Sequence, residues 1–194
     1  MKERGIKVYH RIGVLGVHRT SGVTHITLLL AQYLRGCLGY PVTIIEESGR
    51  RDYLSFLSHD AMTCTDREAF YYHGIRFLKK EQMLSQKFEE EECVLFDFGT
   101  NRKGMTEYLD KLDRVITLFT AAPWYHAGTL LWEHGKMGED IKNEVLLLNL
   151  ATKEALINLP KLPQKPKILG FEPNVFKPTK EAIKVAETLL CSNR

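Results

Sequence analysis

Apolar residues occur along the chain in two patterns, short continuous runs and longer stretches with helical spacing. Continuous runs are typical of strands buried on both faces, and the longer stretches are typical of helices packed on a sheet. Runs that predict strands cover residues 12–15, 41–47, 93–99, 114–122, 143–151 and 167–171. Stretches that predict helices cover residues 23–38, 79–92, 105–112, 124–136 and 179–190. The aromatic segment 68–78, around Gly74, predicts a hairpin or an edge strand.

The alternation of strands with helices indicates an α/β fold with three layers, a mostly parallel sheet flanked by helices. A length of 194 residues suits one domain, which we assign to residues 1–194. The proline- and lysine-rich piece 159–167 is interpreted as an exposed loop, because a strand and a helix still follow it.

Polar and small residues stand where several of the predicted strands end. Glu46, Asp97, residues 121–123 and Asn149 each follow an apolar run, and Thr24 follows the first strand after a short loop. Ligands bind outside the carboxyl ends of the strands in parallel sheets. We therefore expect these residues to converge on one edge of the sheet.

The composition argues against several classes of protein. Hydrophobic residues make up 44% of the chain and charged residues 26%, which is ordinary for a globular domain. The net charge of +3 does not indicate binding to nucleic acid or anionic lipid. No apolar stretch reaches the roughly 18 residues that a membrane-spanning helix needs, and we expect no signal peptide.

The cysteines and histidines show no spacing typical of a disulfide framework or a metal site. The four cysteines are far apart and form no CxxC pair, which favours free thiols in the cytoplasm. The seven histidines also lack the spacing of metal ligands. Glu46 and Glu47 are interpreted as solvated acids at a strand end.

The segment "IGVLGVHRTSGVTHITLLL", residues 12–30, carries the main functional signal. A strand, a loop with glycines and an apolar helix follow one another, as in a phosphate-binding loop. Further along stand "VLFDFG", then "TAAPW", then "VLLLNLA" followed by "ILGFEPNVF". In this order the segments resemble those of the MinD/ParA group of P-loop ATPases, and the resemblance spans nearly the whole chain.

The resemblance implies which residues form the site. The family motif K-G-G-x-G-K-T falls on residues 18–24, and "VLFDFG" resembles the Walker B strand with Asp97 as its acid. Mg²⁺ would lie on the side of Thr24 and Asp97, although a first-turn threonine and a turn-forming aspartate are structural alternatives. ATP or ADP would contact His18, Arg19, Thr20, Ser21, Gly22, Val23, Thr24 and His25, with Asn149 and Pro173 near the base. No residue is assigned a catalytic role.

The chain departs from the family pattern in the same loop. Val23 stands where the family has its phosphate-binding lysine, and His18 stands where it has a second, signature lysine. Arg19 and Thr20 replace two glycines, and Glu46 replaces an aspartate. The Walker A motif is therefore degenerate.

Loss of the lysine need not abolish binding. The backbone N–H groups and the helix N-terminus can still cradle a phosphate. A hydrogen bond from a charged group contributes roughly 1.5–3 kcal/mol, or about ten- to a hundred-fold in affinity. Hydrolysis suffers more, because phosphoryl transfer depends on neutralising charge in the transition state. Arg19 and His18 are the side chains that could partly substitute.

Three functions remain open from the sequence. The first is a degenerate MinD/ParA-like nucleotide-binding protein, a pseudo-ATPase that acts in the localisation or assembly of a cellular machine through an unknown protein partner or as a homodimer. The second is a genuine slow ATPase in which Arg19 or a partner's residue replaces the lysine. The third is a nucleotide-free scaffold, for example in pilus or secretion assembly.

Overall fold

A computed structural model describes residues 7–50, 52–53, 69–83, 86–121, 141, 143–152, 154, 162 and 164–192. Most strands fall where the continuous apolar runs predict them. Within the described residues the strands are β1 (Lys7–Val8), β2 (Arg11–Gly16), β3 (Val42–Glu46), β4 (Phe70–Tyr72), β5 (Ile75–Lys79), β6 (Cys93–Asp97), β7 (Arg114–Thr120), β8 (Glu144–Asn149), β9 (Lys167–Leu169) and β10 (Cys191–Ser192).

Eight of these strands form one sheet in the order β4-β5-β3-β6-β2-β7-β8-β9. All neighbours are parallel except β4 and β5, which form the antiparallel hairpin predicted around Gly74. β1 and β10 pair separately and antiparallel. The predicted α/β class with a mostly parallel sheet is confirmed.

Helices cover both faces of the sheet. The helices in the described residues are α1 (Val23–Gln32), α2 (Lys80–Met83), α3 (Arg102–Thr106) and α4 (Lys180–Leu190). α1 and α4 pack on one face, where Ile26, Leu30 and Ala186 are fully buried. Met105 of α3 packs on the other face against Phe96. The central strands are therefore buried on both sides, which explains their continuous apolar sequences.

The helix predicted over residues 23–38 is present but changes its winding. α1 is followed directly by a π-helical turn, Tyr33–Cys37. The segment then ends at Gly39, whose φ of +78° lies in the left-handed region. Glycine adopts this conformation without the penalty that a Cβ brings, so the predicted stop at Gly39 has a physical basis.

The helix predicted over residues 79–92 is wrong for most of its described length. Only α2 is helical, and residues 86–92 form turns and irregular backbone. The guanidinium carbons of Arg11 and Arg76 lie 5.6 and 5.5 Å from the ring centroid of Phe88. Glu92 is 6% exposed and forms an ion pair with Arg76 at 3.0 Å. This acidic segment therefore packs against the sheet instead of forming a solvated helix.

The helix predicted over residues 105–112 is divided. α3 ends at Thr106, and a separate 3₁₀ turn follows at Leu109–Lys111. The side chain of Asn101 caps α3 by accepting from the Gly104 N–H at 2.9 Å. The predicted helix 124–136 and residues 122–123 lie outside the described residues.

The strand register brings the predicted polar residues to one edge. Asp97 is paired with Glu46 on one side and with Val14 on the other. Gly16 is paired with Leu118, and Thr120 with Asn149. The convergence expected for Thr24, Glu46, Asp97 and Asn149 is confirmed.

Candidate functional site

The loop between β2 and α1 ends on a glycine that cannot be replaced without strain. Gly22 has φ of +86° and precedes the first turn of α1. A methyl group there would collide with the side-chain amide of Asn149. That amide donates to the Ser21 carbonyl at 3.0 Å. Gly22 therefore supplies both a left-handed backbone and room for a hydrogen bond that fixes the loop.

Val23, in the lysine position, contributes packing and no charge. It is 7% exposed and belongs to the hydrophobic core on the α1 face. Its methyl group leaves no room for a side chain at Gly16. The position that brings positive charge to a phosphate in the family is thus part of the core here.

His18, in the position of the signature lysine, is fixed by two hydroxyl groups of the same chain. Its Nδ1 lies 3.1 Å from the Thr20 hydroxyl, and its Nε2 lies 3.1 Å from the Thr120 hydroxyl at the end of β7. Burial lowers the pKa of His18 below 6.5, so the ring is neutral at pH 7. A neutral imidazole that is fixed by two hydroxyl groups does not supply the positive charge of an ammonium group.

The loop uses some of its polar groups internally. The Ser21 N–H donates to the His18 carbonyl at 3.1 Å, and the Ser21 hydroxyl donates to the same oxygen at 2.8 Å. Arg19 and Thr20, which replace two glycines, are exposed. Their side chains therefore do not fill the loop, but a tight turn over residues 18–21 already occupies one of its N–H groups.

Thr24 and Asp97 meet, as the resemblance implies. The Thr24 hydroxyl donates to Asp97 Oδ2 at 3.0 Å. The Tyr53 hydroxyl donates to the same oxygen at 2.6 Å, and the Gly99 N–H donates to Oδ1 at 2.8 Å. Burial raises the pKa of Asp97, and the three hydrogen bonds oppose that rise in part.

This pair fits a Mg²⁺ ion that arrives with a nucleotide. Mg²⁺ prefers oxygen ligands and is usually held by one or two carboxylates together with waters and substrate phosphates. The described residues contain no group of three His, Cys, Asp or Glu that could hold a metal alone. Thr24 and Asp97 would therefore supply one hydroxyl and one carboxylate, and the bound ion would supply positive charge beside the phosphates.

Two adjoining cavities open at the N-terminus of α1. The smaller, of about 280 Å³, is lined by loop residues together with Arg50 and Thr100. The larger, of about 530 Å³, is lined by Leu28 and by residues 173–176. Both cavities share Thr24, His25 and Asp52, so they form one continuous cleft. Its two parts suit a phosphate chain and a planar base.

Pro173 and Asn149, both expected near the base, occupy different places. Pro173 lines the larger cavity. Asn149 is 2% exposed, lies beneath the loop and is absent from the lining of both parts of the cleft. The structure thus places Asn149 as a support of the loop, and its contact with the base stays a prediction.

The two acids at the end of β3 are buried, which corrects their interpretation as solvated. Glu46 is 8% exposed and accepts from the Asp52 N–H at 2.7 Å. Glu47 is 4% exposed, accepts from the Tyr108 hydroxyl at 2.7 Å and lies 3.1 Å from the Lys80 ammonium. Burial raises the pKa of Glu46. Glu46 therefore fixes Ser48 and Asp52, which flank Arg50 at the site.

Sequence reasoning missed three site residues in that turn, Arg50, Asp52 and Tyr53. Arg50 and Asp52 line the smaller cavity, and Tyr53 holds Asp97. A signal was available, because the segment that follows a strand's carboxyl end must begin at the same edge as the phosphate loop.

Several solved structures share this fold. A plasmid partition protein from Borrelia burgdorferi bound to AMPPNP is 13% identical, with 94% of this chain and 97% of that chain covered and a TM-score of 0.64. MinD from Aquifex aeolicus is 14% identical, with 91% and 94% covered and a TM-score of 0.57, and a structure of its complex with MinC also matches. A ParA family ATPase from Chlorobium tepidum is 12% identical, with 92% and 90% covered and a TM-score of 0.53.

The likeness to these structures is one of fold. No protein-family model matches the sequence, and no curated protein is significantly similar to it. The chain has a ParA/MinD-like α/β fold. In the part of the chain that the structure describes, no helix is long and apolar enough to cross a membrane.

Proposed function

We propose that this protein binds an adenine nucleotide in the cleft at the N-terminus of α1 and hydrolyses it little or not at all. The observation that carries this proposal is the hydrogen bond of 3.0 Å between Thr24 and Asp97 beside a core-packed Val23. The groups that would hold Mg²⁺ are in place, whereas the position that would hold charge against the phosphates is apolar.

The shape of the cleft supports a nucleotide as the ligand. A cavity of about 530 Å³ continues into one of about 280 Å³ at a helix N-terminus, where backbone dipoles favour an anion. A structural relative from Borrelia burgdorferi was solved with AMPPNP. The base would lie against Pro173 and the phosphates at the loop before α1.

Weak hydrolysis follows from the charges. Catalysis of phosphoryl transfer rests on positive groups placed where charge develops in the transition state. Val23 is apolar and His18 is neutral at pH 7, so neither of the lysine positions supplies such a group. The protein would therefore act through nucleotide-dependent contacts with a protein partner or with a second copy of itself.

Exposed apolar side chains at the same edge support contact with a protein. Leu150 is 51% exposed and Phe171 is 76% exposed. They follow β8 and β9, whose ends are paired through Asn149 and Leu169. A structural relative, MinD from Aquifex aeolicus, was solved in complex with MinC. Both observations support a role in localisation or assembly through contact with a protein partner.

Calorimetric titration with ATP and ADP, with and without Mg²⁺, tests this function when phosphate release is measured on the same samples. We expect saturable binding, tighter with Mg²⁺, and no phosphate release above that of a protein-free control. Absence of binding at millimolar nucleotide would favour the scaffold. Phosphate release that disappears in Asp97→Asn would favour the slow ATPase.

A further inference from the structure

The smaller cavity contains positive charge that the family motif does not account for. Arg19 and Arg50 both line it, together with Thr24 and Thr100. Arg19 comes from the loop before α1, whereas Arg50 comes from the turn after β3. Two separate segments thus bring guanidinium groups to the cavity where the lysine is missing.

Arg50 is anchored in this position. Its Nη2 donates to the Thr100 hydroxyl at 3.3 Å, and its backbone N–H donates to the Ser48 hydroxyl at 3.3 Å. Gly99, with φ of +54°, leaves space beneath it, since a Cβ at Gly99 would lie 4.0 Å from the Arg50 guanidinium carbon and 2.9 Å from the Ser48 side chain. The residue is half-buried, so its orientation is restricted before any ligand arrives.

Neither arginine is neutralised by a carboxylate in the described part of the chain. The ion pairs found there involve Arg76 and Lys80, and the only side-chain bond of Arg50 is to a neutral hydroxyl. Asp52 lines the same cavity and opposes an anion, while Asp97 lies buried beneath Thr24. Two guanidinium groups against one carboxylate on the cavity wall leave a net positive surface.

We propose that Arg50, assisted by Arg19, binds the terminal phosphates of the nucleotide in place of the absent lysine. The inference rests on the proposed function, because it assigns the phosphate end of the same cleft. A guanidinium group presents several N–H donors in a planar fork that matches phosphate oxygens, so it suits phosphate binding. This role concerns affinity for the nucleotide, and weak hydrolysis is still expected because both lysine positions stay without a cation. Arg50 is the principal residue because it is anchored, and Arg19 is exposed.

The test compares ATP, adenosine and inorganic tripolyphosphate as ligands of the wild type, Arg50→Gln, Arg50→Lys and Arg35→Gln. Arg35 is an exposed arginine in the π-helical turn after α1, far along the helix from the cleft, and serves as the control for overall charge. Each ligand is titrated calorimetrically, and thermal unfolding verifies that every variant is folded.

We expect Arg50→Gln to weaken ATP binding about ten- to a hundred-fold, as for loss of one charged hydrogen bond. Tripolyphosphate binding should weaken by a similar factor, whereas adenosine binding should not change. Arg50→Lys should lie between wild type and Arg50→Gln, and Arg35→Gln should match wild type.

The outcomes separate this inference from the proposed function. If ATP binds the wild type and Arg50→Gln binds it equally well, the role of Arg50 is refuted while nucleotide binding stands. If tripolyphosphate binds through Arg50, ATP binds no more tightly than tripolyphosphate and adenosine does not bind, the anion site is supported. The proposed nucleotide function then fails. If neither ATP nor tripolyphosphate binds the wild type, both are refuted. If Arg50→Gln does not fold, Arg50→Lys is used in its place. Unchanged affinities of Arg50→Lys for ATP and tripolyphosphate would count against phosphate binding by the planar guanidinium group.

Discussion

Two halves of the candidate phosphate site, one around Asp97 and one at Val23 and His18, differ in their chemistry. On one side, Thr24, Tyr53 and Gly99 donate to a single buried carboxylate, Asp97. On the other, Val23 packs in the core and His18 is held by two hydroxyl groups. The first half contains the hydroxyl and carboxylate that we propose as Mg²⁺ ligands. In the second half, neither position that aligns with a family lysine carries a positive charge.

A buried polar cluster can stabilise the fold as well as bind a ligand. Asp97 satisfies three donors, so its removal would leave buried polar groups unpaired even in a protein without ligand. A lysine at position 23 is not needed for folding, because Val23 packs in the core there. Variants of Asp97 therefore need separate measurements of ligand affinity and of the free energy of unfolding.

The largest expected change comes from restoring charge to the second half. Val23→Lys should tighten ATP binding by about ten- to a hundred-fold, because its stem can follow the apolar path of valine and its ammonium can reach the cavity. Val23→Met is the matched control, since it adds length without charge. Calorimetry should show a gain for lysine alone, and an equal gain for methionine would mean that charge is not what the loop lacks. Hydrolysis need not return, because Arg19, Thr20 and His18 are unchanged.

The next largest change is expected from the first half. Asp97→Asn should remove most of the effect of Mg²⁺ on ATP affinity, roughly tenfold for about 1.4 kcal/mol of lost interaction with the ion. Glu92→Gln, which alters a buried carboxylate that pairs with Arg76 and does not line the cleft, is the control. Titrations with and without Mg²⁺ would contradict this assignment if Asp97→Asn kept the full Mg²⁺ effect or if both variants lost it equally.

A smaller effect distinguishes loop support from base contact at Asn149. Asn149→Ala should lower the free energy of unfolding by about 1 kcal/mol or somewhat more, because the Ser21 carbonyl loses its donor. ATP and GTP affinities should fall together, since the loop serves the phosphates of both. Chemical denaturation and paired titrations measure these quantities. A change in the ratio of ATP to GTP affinity would instead show that Asn149 contacts the base.

The smallest effect concerns pH. Burial lowers the pKa of both His18 and His25 below 6.5, so the unfolded chain binds more protons than the folded one just below that pH. Stability should therefore decline as the pH falls through 6.5 towards the lower folded-state pKa values. Thermal unfolding across this range should show a weaker decline for His18→Gln than for wild type. An identical decline would mean that His18 does not contribute.

Much of the fold could be predicted because its strands are buried on both faces and leave continuous apolar runs. β1 and β10 were missed since two residues, as in Lys7–Val8, carry no periodicity. The prediction for residues 79–92 was wrong because an acid-rich composition is typical of a solvated helix, whereas Glu92 and Phe88 form specific contacts with Arg76. Such contacts depend on tertiary neighbours that no local pattern contains.

The juxtaposition of Thr24 and Asp97 could be predicted from the sequence, because the sheet topology alone determines it. Thr24 and Asp97 end up together because strand ends of a parallel sheet meet at one edge. Arg50 and Tyr53 could not be found from motif spacing, because their positions depend on the turn that Glu46 organises. The orientation of Asn149 depends on the gap at Gly22, which is likewise a property of packed neighbours.

The fate of bound ATP tests the contrast between the two halves most directly. The protein, in excess and above its measured Kd, is mixed with Mg²⁺ and ATP, and the ATP and ADP contents of the mixture are followed after acid quenching. We predict that ATP is bound yet stays intact at the rate of a protein-free sample. Conversion of the bound ATP to ADP above that rate would contradict the proposed loss of hydrolysis.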